Sequence, residues 1–70
     1  MRIDLGTMRR RRGWSQAELS RRSGVPQPMI SEIESGVVSD PRIRTVSKLA
    51  NALRCAIEDL CVEDREEGTG

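Results

Sequence analysis

The tripeptide Gly24-Val25-Pro26 restricts what this chain can become more than any other feature. On its N-terminal side, Ser15-Gln16-Ala17-Glu18 has the form of a capping box, with the Ser15 hydroxyl accepting from the Glu18 amide and the Glu18 carboxylate reaching back to the Ser15 amide. That pattern starts a helix at Ser15 which runs to about Ser23, with Ala17 and Leu19 as its inward residues and Arg21 and Arg22 near the negative pole of its dipole. On the C-terminal side, a helix from Gln27 to about Ser35 places Met29, Ile30 and Ile33 on one side and Gln27, Pro28, Ser31, Glu32 and Ser35 across from them. Three residues between two such helices leave room only for a tight turn, with Gly24 free to take positive φ and Pro26 pre-set to begin a helix. The second helix of the pair therefore has an apolar back and a polar front.

The rest of the chain reads as further short helices packed around that pair. Leu5 and Met8, three apart, mark a first helix over about residues 4–12 that ends at Gly13. Gly36 stops the third helix, and Val37 to Pro41 form a loop because Asp40-Pro41 disfavours helix before it and suits a helix start after it. Ile43, Val46, Leu49, Ala50 and Leu53 follow amphipathic spacing, and Ile57, Leu60 and Cys61 repeat it in a short final turn or helix after a break near Cys55. No strand-like alternation interrupts this, so the fold class is all-α. Seventy residues suffice for one modest core and no more. The expected organisation is a domain over residues 1–62 followed by an acidic, disordered tail over residues 63–70.

Charge is distributed to match that division. Residues 1–62 hold eleven basic against seven acidic side chains, whereas Glu63, Asp64, Glu66 and Glu67 crowd the tail against Arg65 alone. A basic body suits a polyanionic partner, and arginine, which supplies eleven of the twelve basic residues, favours planar bidentate contacts to phosphate or guanine. No stretch approaches the ~18 apolar residues of a membrane span, and no signal-type apolar run follows Met1, so the chain reads as cytoplasmic. Cys55 and Cys61 are expected as buried, reduced thiols, since without histidine one chain cannot assemble a four-ligand zinc site. The absence of histidine, of a glycine-rich phosphate loop and of a nucleophile–base pair argues against an enzyme, and no cofactor is expected. Trp14, the one aromatic residue, is a packing group rather than a stacking platform, which argues against a single-stranded nucleic acid as partner.

Two short helices joined by a three-residue, glycine-containing turn, the second presenting small and amide side chains outward, form a helix-turn-helix arrangement that suits the roughly 12 Å major groove of double-stranded DNA. The residues carrying it, Gly13-Trp14-Ser15-Gln16-Ala17-Glu18-Leu19-Ser20, Gly24-Val25-Pro26-Gln27 and Ile30-Ser31-Glu32-Ile33-Glu34-Ser35-Gly36, resemble the lambdoid phage repressor and Cro family. The likeness continues through Pro41 and Leu49-Ala50-Asn51-Ala52-Leu53 and covers about residues 5–60 without a gap. It implies a compact five-helix bundle of the phage-repressor DNA-binding type, with helices two and three as the DNA-binding unit.

The resemblance also implies roles for single residues. Gln16 matches a glutamine that contacts a phosphate and braces the first recognition residue, and Gln27 matches the first base-reading position, where its amide can pair with adenine N6 and N7. Pro28 and Glu32 fall on further base-contact positions with Ser31 between them, and there the chain departs from the commoner pattern: Pro28 offers only apolar contact and Glu32 can only accept. Arg9 and Glu34 occupy the places of an ion pair joining helix one to helix three. Arg42 matches a basic residue that enters the minor groove, and Ser35 with the Arg10, Arg11 and Arg12 cluster are candidate phosphate contacts. The function expected is a sequence-specific transcriptional regulator, which binds a near-palindromic site as a homodimer because the few base contacts of one small domain cannot alone supply its specificity. Its rival is an antitoxin-like module that grips a toxin or other protein through Val37-Val38 or the apolar C-terminal residues.

Overall fold

Leu5, Leu19, Ile30, Val46, Leu49, Leu53 and Leu60 are the largest fully buried side chains, and they come from five different helices. The computed structural model describes residues 2–62; Met1 and the acidic segment 63–70, including its expected disorder, lie outside the described residues. In chain order the helices are α1 (Leu5–Arg11), α2 (Gln16–Ser23), α3 (Gln27–Ser35), α4 (Ile43–Leu53) and α5 (Ile57–Leu60). Their common core is completed by Val25, Ile33 and Ala50, with Ile3, Met8, Trp14, Met29, Val38 and Ile57 packed half-buried around it.

Each helix ends for a local reason. The Asp4 carboxylate accepts from the Thr7 amide at 3.3 Å and starts α1, and the Ser15 hydroxyl accepts from the Glu18 amide at 3.0 Å and starts α2. Gly24 closes α2 at φ 81° and Gly36 closes α3 at φ 91°, both in the left-handed region where a Cβ is costly. Arg54 closes α4 in the same region at φ 55° without that freedom. The short α5 is capped when the Asp59 carboxylate accepts from the Ala56 amide at 3.0 Å.

Four expectations are corrected. Ala17 is exposed while Leu19 is buried: residues two apart on a helix lie about 200° apart, and only one can face inward. The Glu18 carboxylate does not complete the capping box, because it is drawn to Arg21 and Arg22 on its own helix. Ile43 is 55% exposed, since at about 100° per residue it falls at the edge of the face that Val46, Leu49, Ala50 and Leu53 bury. Cys55 and Cys61 are free but not buried: Cys55 is half-covered and Cys61 exposed, with Leu60 filling the inward place. An antiparallel bridge between Ile3 and Cys61 also ties the two ends of the fold, with the Asp4 amide donating to the Leu60 carbonyl at 2.8 Å and the Val62 amide to that of Arg2 at 2.9 Å.

Candidate nucleic-acid interface

Helix α3 is held from behind and open in front. Ile30 and Ile33 sink into the core, and Met29 packs beside them half-buried. Gln27, Pro28, Ser31, Glu32 and Ser35 are all exposed, so the polar front expected from helical spacing is an outward surface. The Ser35 hydroxyl donates back to the Glu32 carbonyl at 3.3 Å, and the Val38 amide bonds the same carbonyl at 3.0 Å, which ties down the C-terminal end of the helix.

The brace behind α3 centres on Glu34. The Arg9 guanidinium grips it with two parallel bonds, Nε to Oε2 at 2.7 Å and Nη2 to Oε1 at 3.0 Å, while Gln16 Nε2 donates to Oε1 at 3.1 Å. Arg9 Nη1 also donates to the Trp14 carbonyl at 2.8 Å, so one side chain links α1, the entry to α2 and α3. The paired side chains are only 14% and 12% exposed, which places the pair well inside the range where water no longer screens it fully. Burial pushes the Glu34 carboxyl up, but the bonds from Arg9 and Gln16 and the charges of Arg9 and Arg10 outweigh that and hold it below the usual glutamate range. The Arg9 guanidinium, hydrogen-bonded to Glu34, is raised in turn.

A helix-turn-helix family model matches residues 5–60, the span from the first residue of α1 to the last of α5. The chain belongs to that family, the lambda repressor/Cro-type helix-turn-helix domains. Searches of curated proteins and of solved structures return no match. Family membership gives the general function, DNA binding in transcriptional regulation, and places the chain among regulatory rather than enzymatic domains. Among the described residues no helix is long and apolar enough to cross a membrane.

Within this helix-turn-helix domain the other candidate residues are placed unequally. Arg9 and Glu34 meet as expected. Gln16 stands at the start of α2 and its amide nitrogen is committed to Glu34, a tie the sequence did not suggest. Arg12 donates to the Leu53 carbonyl and so fastens the end of α1 to the end of α4. Arg10 is exposed, and its Nη1 lies 2.9 Å from where a Cβ on Gly6 would stand, so that glycine makes room for it beside Glu34. A glycine inside a helix was the available signal for that approach, since it costs about 1 kcal/mol relative to alanine there. Arg42 is exposed at the N-cap of α4, which has no side-chain cap and no acidic residue in its first turn. Trp14 is half-buried against the core, with the Arg22 guanidinium 4.3 Å above its ring and that arginine also paired with Glu18.

Proposed function

We propose that the chain is a sequence-specific regulator that inserts α3 into the major groove of double-stranded DNA. The observation that carries this reading is the front of α3: five exposed side chains without a bulky aliphatic among them, on a helix clamped from behind by Arg9, Gln16 and Glu34. Gln27, at the first position of α3, reads a base through its amide, with Pro28, Ser31 and Glu32 along the same surface. Arg42 at the start of α4 enters the adjacent minor groove or meets the backbone, and Arg10 and Ser35 meet phosphates. Gln16 contributes a phosphate contact through what its amide has left beyond Glu34. Arg12, already bonded to a carbonyl of α4, is the weakest of these backbone candidates.

The protein binds as a two-fold symmetric homodimer, because a few base contacts from one small domain fall short of the typical ~10³–10⁷-fold preference over non-specific DNA. Val37, 74% exposed, and Val62, 41% exposed, supply apolar surface for the partner copy, while Val38 and Leu60 are spent on the domain's own core. The operator is then a near-palindrome with half-sites about 34–36 Å apart. Those valines, with Ile43 at 55% exposed, also favour a second reading, an antitoxin-like module that holds another protein and binds its own promoter. Selection of bound duplexes from a random pool tests the first reading: a two-fold symmetric motif supports it, and retention of DNA without any enriched sequence overturns it.

A further inference from the structure

Helix α3 carries no basic residue, only the carboxylates of Glu32 and Glu34. The charge of Glu34 is paired with Arg9, and its Oε1 also accepts from Gln16, behind the helix. Glu32 is exposed on the front, and its carboxylate takes no hydrogen bond or ion pair among the described residues. An uncompensated negative charge therefore stands on the surface that would meet a polyanion. It costs affinity at every site that does not offer it an N–H. In the major groove only cytosine N4 and adenine N6 do so, whereas guanine O6 and N7 and thymine O4 are acceptors that repel it.

Pro28 divides the two remaining bases. It lies one helical turn before Glu32, also exposed, so the pyrrolidine ring and the carboxylate are neighbours on one strip of surface roughly 5–6 Å apart at their Cβ atoms. Beside its N4 donor, cytosine presents the apolar C5–H edge. Beside its N6 donor, adenine presents the N7 acceptor, which a proline ring would cover and leave unsatisfied. We infer that Pro28 and Glu32 together form a cytosine-reading pair, in which Glu32 accepts from N4 and acts mainly by rejecting guanine and thymine while Pro28 packs over C5. A 5-methyl group on that cytosine adds apolar contact with Pro28, so the pair binds 5-methylcytosine more tightly than cytosine. This rests on the major-groove reading of α3 and deepens it by naming the base and its modification state.

The test uses the full chain and operators selected by it, by Glu32→Gln and by Gln27→Ala, each variant first checked for unchanged helicity. The expected result is one cytosine per half-site whose requirement is lost in Glu32→Gln, because the amide can donate as well as accept. Affinity of that variant for random duplex rises about two- to fivefold at 0.1 M salt, as one repelling charge is removed. Placing 5-methylcytosine at that position strengthens binding by the unaltered chain about fourfold, the equivalent of one buried methyl group, and by Pro28→Ser not at all. A base other than cytosine at the position that Glu32→Gln relaxes overturns the inference, as does weaker binding to the methylated site. If neither Glu32→Gln nor Gln27→Ala alters the selected motif, α3 is not the reading element and the inference falls with that reading. If Gln27→Ala alters it and Glu32→Gln does not, only the Pro28 and Glu32 assignment falls.

Discussion

A carbonyl at the end of a helix lacks its intrahelical partner, and Arg12 supplies a donor to that of Leu53. That contact separates two roles which the run of four arginines, Arg9 to Arg12, leaves entangled in the sequence. Arg12→Ala is expected to destabilise the fold by about 1–2 kcal/mol, as a charge-assisted bond is lost, and to leave the salt dependence of DNA binding unchanged. Urea denaturation together with a salt titration checks both, and a slope reduced by about one would return Arg12 to the phosphates. Gln27 should behave in the opposite way. Because it is exposed at the first position of α3, Gln27→Ala leaves stability unchanged but weakens the selected site by about 1–3 kcal/mol and relaxes one base pair. Equal losses on selected and random duplex would remove it from the reading surface.

Between α1 and α3 the described polar tie is the Arg9–Glu34 pair, made by two parallel hydrogen bonds. Removing either partner strands the other in a half-dry site, so each single alanine variant should cost more than the roughly 0.2–1 kcal/mol of a surface pair, with the double variant recovering part of the loss. Strict additivity in the denaturation cycle would show that the two do not interact. The same pair sets an acid limit. The Glu34 carboxyl is held below its ordinary value in the folded chain, so its contribution is complete above the unfolded-state value of about 4.3 and is lost as pH falls from there through the folded value. Urea midpoints from pH 6 down to pH 2.5 should therefore drop less steeply in Glu34→Gln, which is weaker at neutral pH but has no proton to gain. The end of α4 offers a change in the other direction. Arg54 holds φ 55°, a conformation that costs an L side chain roughly 1–2 kcal/mol, so Arg54→Gly should stabilise by about 0.5–1 kcal/mol after the added freedom of the unfolded chain is subtracted. A lowered melting temperature would mean that the Arg54 side chain makes contacts worth more than the strain.

At the scale of the whole molecule the ends of the domain are brought together, since the Ile3–Cys61 bridge closes the bundle with Asp4 and Val62 donating across it. Leu60 is thereby committed to the interior, and among the described residues the large exposed apolar side chains that remain for the proposed partner copy are Val37, Ile43 and Val62. Val37→Asp is expected to leave the fold intact, as the side chain is mostly in water, and to shift the sedimenting species with operator DNA from two protomers per duplex toward one. Unchanged stoichiometry would place the symmetric contact elsewhere, and one protomer per duplex in the unaltered chain would end the dimer model.

Local rules were sufficient for the helices and their order: glycines at 13, 24 and 36 in the left-handed region, the Ser15 cap and the Asp40-Pro41 break mark boundaries within a residue or two, and each is a property of a few adjacent residues. The same holds for the outward front of α3, because helical periodicity alone separates Ile30 and Ile33 from Gln27 and Ser31. Family resemblance, not spacing, paired Arg9 with Glu34. What no window of sequence contained was the choice among chemically equal groups. Ile43 is as apolar as its buried neighbours, and Arg12 is as basic as Arg10, yet burial and bonding depend on which atoms of other helices stand opposite. The antiparallel bridge joins residues 58 positions apart at a single point, too short to leave an alternating pattern in either strand. Those assignments were made only when the five helices closed on one core, because a long-range contact is selected by the geometry of the whole chain and leaves no mark on the composition of either partner.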